Sequence, residues 1–295
     1  TEHLLMLSTG LGKYVAPTAL GAGYAIAKMF SLRALDTELA IAQDFTYQFL
    51  AGVLLGFTLR PVTNMIYWKW TTSIVFFSIF LMTFGPFGQI LKRLVWGIPF
   101  DNTFWLLLIP EVIASLTVGI LATLLIPSQH QVIGLNFLRR RLQKEISISM
   151  LLKLLGCGLI YALLFLVFQI TFNESFSAPF WLGRIEEFLA LPALSAQSKI
   201  LLLWGQGILN TLVILPLFLV FFREKMELIV VFGSLTFVVA EFSPAFANFQ
   251  LIEPLLLIDQ VFIGFCLQFM FVVCTVFCFG RNVFNKTEQI FREKP

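Results

Sequence analysis

Six polar residues stand inside otherwise apolar runs: Glu111, Gln206, Asn210, Asp259, Gln260 and Gln268. A charge in hydrocarbon costs roughly 2.5–3.5 kcal/mol on insertion scales, so an acid within a span must face protein or water. Glu111 follows Pro110 a turn or two into one apolar run, and Asp259 lies at similar depth in another. Two facing carboxylates could hold a cation or shuttle a proton, since each opposes ionisation of the other. The plainer alternative is that both acids sit hydrated at an interface. Gln206 and Asn210 are four apart, with Gly205 and Gly207 beside them. Small residues let helices approach closely, and the amides could then hydrogen-bond across the seam or line a polar path. Gln268 is eight residues after Gln260, near the same helical face. The six together form the candidate lining of a polar pathway.

Other chemistry is poorly provided for. The two histidines, His3 and His130, fall outside the apolar runs. Ser115 and Ser234 therefore have no nearby histidine base. The chain carries no Gly-x-x-x-x-Gly-Lys-Ser/Thr loop, no Gly-x-Ser-x-Gly and no His-Glu-x-x-His. Cys157, Cys266, Cys274 and Cys278 all lie in apolar runs and read as small packing residues. No metal or cofactor is expected, and an enzyme, such as a lipid-modifying one, is the least favoured class.

The elements that must position these residues follow from composition. The 295 residues include 20 Lys and Arg and 17 Asp and Glu, and hydrophobic types make up 58%. Mean hydropathy is +0.88. Soluble domains are about 25% charged, so this chain has too little polar surface to coat a water-soluble globule. Disorder, a coiled coil and a disulfide-stapled domain are excluded on the same grounds. The 34 Phe lack the interleaved charge that nucleic-acid stacking needs.

About 20 mostly apolar residues cross the hydrocarbon. Eight runs qualify: 11–27, 46–59, 73–87, 104–126, 148–171, 200–222, 228–240 and 255–280. The expectation is an all-α polytopic transmembrane bundle of about eight spans, forming one domain over 1–295. No N-terminal run resembles a cleaved signal peptide. Pro86, Pro110, Pro216 and Pro244 fall in or at the ends of spans. Phe84-Gly-Pro-Phe-Gly88 is expected to break or end a helix.

With the N-terminus inside, 14 Lys and Arg fall on the cytoplasmic side and 6 on the other. Lys28, Lys92 and Arg93 are among the six. That bias places both termini in the cytoplasm, as in a bacterial inner membrane. Arg139, Arg140, Arg141 and Lys144 form a basic cytoplasmic stretch, a candidate dock for anionic lipid or a partner. On the opposite side, residues 176–194 suit a helix lying in the headgroup region. Asn173-Glu-Ser175 matches a glycosylation tripeptide.

An internal repeat is suggested by Leu106-Leu-Leu-Ile-Pro-Glu-Val-Ile113 and Leu255-Leu-Leu-Ile-Asp-Gln-Val-Phe262, offset by 149. Phe84-Gly-Pro-Phe87 and Phe242-Ser-Pro-Ala245 precede them, and Arg60 and Arg223 stand at matching points. The halves, 1–136 and 137–295, would be parallel repeats of four spans, an arrangement common in transporters. Two functions follow. One is a channel- or carrier-like protein moving a small solute or ion between the repeats. The other is a non-catalytic membrane subunit of a secretion, export or energy-converting assembly. Expected partners are lipids, other subunits or a second copy, and no nucleic acid.

Overall fold

The computed structural model describes residues 12–35, 44–65, 68–96, 102–126, 146–172, 196–220, 224–247 and 254–280, with single positions between 136 and 143. These segments are helical, and no strand occurs among the described residues. In chain order the helices are α1 (Gly12–Leu35), α2 (Phe45–Met65), α3 (Trp70–Met82), α4 (Gly88–Trp96), α5 (Asn102–Leu125), α6 (Ile148–Phe172), α7 (Ala196–Val220), α8 (Lys225–Phe237), α9 (Ser243–Ala247) and α10 (Pro254–Phe279). A π turn, π1 (Thr83–Phe87), joins α3 to α4, and a second, π2 (Val238–Phe242), joins α8 to α9.

Six stretches are long and apolar enough to cross a membrane: 70–92, 108–125, 148–168, 197–218, 225–246 and 261–279. The chain is thus a multi-pass helical membrane protein. Helices α1 and α2 have the length of a span, but α1 carries Lys13, Lys28 and Arg33 and α2 carries Arg60, which dilute their hydropathy.

Expected span ends shift where proline or charge suggested a boundary. The Phe84-Gly-Pro-Phe-Gly88 segment does not break its helix. Pro86 lacks an N–H to donate, and the chain widens into a π turn and continues as α4 to Trp96. The run expected to stop at Ala240 likewise continues through π2 to Ala247. A π turn adds one residue to the helix and rotates everything after it by about 100°. Lys92, Glu241 and Ser243 therefore lie within helical rods rather than in loops.

Packing divides the helices into two groups of four rods. In the first, α1 packs on α2 and α5, and α3 packs on α5. In the second, α6 packs on α7 and α10, and α8 packs on α10. Close approach in each group depends on missing side chains. A Cβ on Gly21 would lie 2.8 Å from the Phe49 carbonyl oxygen, and one on Gly52 would lie 2.6 Å from Tyr24 Cβ and 2.8 Å from Gly21 Cα. The same contact recurs between α6 and α7. A Cβ on Gly158 would lie 2.9 Å from the Trp204 carbonyl oxygen, and one on Gly207 would lie 2.6 Å from Tyr161 Cβ and 2.9 Å from Gly158 Cα. Backbones this close gain dispersion contact along the seam, which matters where lipid removes the hydrophobic drive between helices.

The two groups meet at the bends. The π turns touch each other, α9 packs on α2, and α4 packs on α7. Aromatic side chains fill the space around this junction. Phe80 and Phe84 lie 4.7 Å apart between centroids, and Tyr161 meets Phe271 edge-on at 5.1 Å. Many side chains point outward instead, including Phe30, Val75, Leu163, Val230 and Phe277. They present the lipid-facing surface expected of a span.

The glycine seams generate a direct expectation. Gly52→Leu and Gly207→Leu should each destabilise the folded protein by about 1–3 kcal/mol, because overpacking forces the backbones apart. Gly156→Ala is the control, since nothing lies within 4 Å of a Cβ there. Melting in mild detergent checks this, and equal melting of all three variants would contradict it.

Candidate functional site

Two polar networks form where the helix groups meet. The first begins with a stripe on α1: Tyr24, Lys28 and Ser31 recur at spacings of four and three and share one face. That face packs on α5, which supplies Glu111. Tyr24 Oη lies 2.9 Å from Glu111 Oε1 and 3.0 Å from Oε2, so one hydroxyl straddles the carboxylate. Lys28 Nζ lies 2.7 Å from Glu111 Oε2 and 3.4 Å from Tyr24 Oη. Lys28 is only 2% exposed and Glu111 only 7%. The ammonium and carboxylate neutralise each other at close range, the condition under which a charge pair survives burial.

The second network crosses between the groups. Lys92 on α4 donates to Glu241 Oε2 at 2.5 Å, and Gln268 Nε2 on α10 lies 3.4 Å from Glu241 Oε1. Gly264, one turn before Gln268, makes room for the Glu241 stem, since a Cβ there would lie 2.8 Å from Glu241 Cβ. Tyr161 on α6 faces Glu241, Asn210 and Gln268. Gln206, a turn before Asn210, approaches α4: its Nε2 lies 3.7 Å from the place of a Cβ on Gly88, itself a turn before Lys92. Ser243, two residues past Glu241, neighbours Tyr24 and so brings the two networks together.

Hydrogen bonding separates two kinds of polar residue here. Thr58, Thr123, Thr211, Thr236 and Thr275 each bond the carbonyl four residues earlier on their own helix. Their hydroxyls are thereby hidden from lipid and make no demand on other helices. The residues around Glu241 are not satisfied in this way. Gln206 Oε1, Asn210 Oδ1, Gln268 Oε1, Tyr161 Oη and Ser243 Oγ are all buried without a hydrogen-bond partner. Gln206 Oε1 and Asn210 Oδ1 accept no interhelical bond among the described residues. The glycine that brings α6 and α7 together is Gly207, whereas Gly205 faces open space.

Four of the six residues expected to line a polar path can be placed. Glu111 joins the first network; Gln206, Asn210 and Gln268 gather around the second. Asp259 and Gln260 lie in α10, but their side chains are outside the described residues. The second buried carboxylate of the junction is Glu241, which sequence reasoning passed over together with Lys28, Lys92, Tyr24, Tyr161 and Ser243. Treating charge as a span boundary hides the three charged ones: Lys28 and Lys92 fall outside the expected spans, and Glu241 stands one residue beyond an expected end. The Tyr24, Lys28, Ser31 spacing was the one signal that could have exposed part of the set. Arg139 and Arg140 are helical and exposed, whereas Arg141, Lys144 and 173–194 lie outside the described residues.

The arrangement contains no group of three or more His, Cys, Asp or Glu suited to a metal among the described residues. Cys157 neighbours Cys274 and Cys278 between α6 and α10, and all four cysteines are free thiols. What the junction offers is two neutralised charge pairs and a set of partnerless acceptor oxygens. No protein family, curated protein or solved structure matches the chain.

The ion pair changes the expected outcome of neutralising Glu111. Read as a hydrated acid, Glu111→Gln should leave folding intact. With Lys28 buried against it, Glu111→Gln strands an ammonium and should cost about 3–5 kcal/mol. The double variant Lys28→Met/Glu111→Gln removes both charges and should recover most of the folded yield. Size-exclusion profiles in detergent report the difference, and a double variant no better than the single one would contradict the pairing.

Proposed function

We propose that the chain is an integral membrane transport protein, channel- or carrier-like, moving a small solute or ion along a polar path between two parallel four-span repeats. The observation that carries this reading is the placement of the two charge pairs and five unpartnered polar atoms at the junction of the helix groups. Polar side chains at that depth are costly, and selection retains them where they serve a path or a site.

The repeat reading, halves 1–136 and 137–295, draws support from the seams. Gly21 and Tyr24 meet Gly52 as Gly158 and Tyr161 meet Gly207. Each half then has a rod bent by a π turn, and each bent rod reaches across to the other half's second helix. Under this reading α1 and α2 are spans, giving eight. The Lys28 charge within α1 is compatible with hydrocarbon because it is paired.

We place both termini in the cytoplasm of a bacterial inner membrane. Lys28 and Lys92 are engaged by carboxylates, so they are poor markers of the outer side. Leaving them out, 14 basic residues stand inside against four outside. The exposed Arg139 and Arg140 support a second reading, docking of lipid or of another subunit in a larger assembly.

Reconstitution separates these readings. A chain purified alone that catalyses solute or ion flux in liposomes supports transport. Stoichiometric co-purifying partners and no flux support the subunit reading. For topology, thiol labelling of cysteines placed at Arg140 and Lys294 should occur from the same side, and labelling at Glu187 from the opposite one. Labelling of the Arg140 and Glu187 positions from one side would overturn the eight-span arrangement.

A further inference from the structure

We propose that Glu241, with the amide oxygens of Asn210, Gln268 and Gln206, forms a site for a monovalent alkali cation, in which the Lys92 ammonium is a tethered occupant displaced when the ion binds. This deepens the transport reading and rests on it for the consequence drawn below.

The argument starts from what the unpartnered atoms require. Asn210 and Gln268 are each 1% exposed, Gln206 is 5% and Tyr161 is fully buried. The partnerless atoms of the three amides are all acceptor oxygens. A buried acceptor left alone costs about 1–3 kcal/mol, so these three call for a donor or a positive charge. Tyr161 neighbours Asn210, Gln268 and Glu241 together. Asn210 and Gln268 thus share Tyr161 with Glu241, and the Gln268 amide reaches Glu241 Oε1 at 3.4 Å through Nε2, so turning that amide over presents its oxygen at the same place. Hard cations take such oxygen ligands, and carbonyl oxygens can replace an ion's hydration shell.

Charge count selects the class of ion. Glu241 supplies one negative charge, and the amides and hydroxyl are neutral. One positive charge balances the site; a divalent ion would leave an excess charge in hydrocarbon. Lys92 supplies that single charge now, at Glu241 Oε2. Its side chain is 22% exposed while that of Glu241 is 2% exposed. The ammonium stands at the edge of the site on a flexible stem and can withdraw; the carboxylate is held inside. Lys92 belongs to the first helix group and Glu241 to the second, so exchanging ammonium for ion unties one link between them. A link that opens on ion binding is what a carrier needs in order to couple occupancy to movement of its halves.

The test uses the full chain in mild detergent, melted at constant ionic strength in sodium, potassium or choline chloride. Lys92→Met removes the tethered occupant, so its stability should come to depend on sodium or potassium. At an ion concentration of about 100 Kd the folding equilibrium should move about 100-fold relative to choline. The shift should vanish in Lys92→Met/Glu241→Gln. The wild type should show a smaller alkali-specific shift, since the ammonium competes, and Asn210→Leu should reduce it further. A Lys92→Met protein that melts alike in all three salts overturns the proposal. If that variant does not fold, the wild type decides: no alkali-specific shift up to molar salt overturns it, and a shift lost in Asn210→Leu supports it. Flux in liposomes is read separately. An ion-specific shift without flux leaves the site standing and removes the transport reading; flux without the shift does the reverse.

Discussion

Everything at the centre of this bundle depends on keeping buried charge neutral. Lys28 with Glu111 and Lys92 with Glu241 place four ionised groups where an isolated one would be untenable. Each pairing dictates which helix faces which. Glu111 holds α1 against α5, and Glu241 holds α4, from one helix group, against the bent rod of the other. Breaking either pair leaves its partner stranded, so the helices cannot rotate or slide without a cost.

Close backbone contact supplies the attraction. Lipid is as apolar as leucine, so greasy faces alone do not draw helices together. The Gly21–Gly52 and Gly158–Gly207 seams solve this by removing side chains where helices cross. Both seams carry a tyrosine three residues after the first glycine, aimed at the junction. Tyr24 finds a carboxylate there. Tyr161 finds amides and a carboxylate without closing a hydrogen bond. Two structurally similar helix pairs thus present the same hydroxyl to unlike surroundings: one network is saturated and the other has acceptors to spare.

The π turns decide which side chains reach that junction. Each inserts a residue into a long rod and turns the remainder by about 100°. Without the turn at Val238–Phe242, a different set of residues would face α10 and the other helix group. Pro86 accounts for the first turn by withholding a backbone donor. The second has no proline within it, and Pro244 follows two residues later.

The helical content and its membrane character were legible in the sequence, because apolar composition and run length act locally. Each expected span falls on a helix of the structure, and six of those helices have the length and hydropathy to cross a membrane. The burial of Gln206, Asn210 and Gln268 was legible for the same reason, since a polar residue deep in an apolar run has few places to go, whereas for Glu111 a hydrated interface was an equal alternative. What the sequence could not determine was partnership. Lys28, Lys92 and Glu241 read as ends of spans because a lone charge ends a span, and whether a charge is alone depends on residues 83 and 149 positions away. Only the tertiary structure supplies those partners. It converts three apparent boundaries into paired charges at the junction of the helix groups.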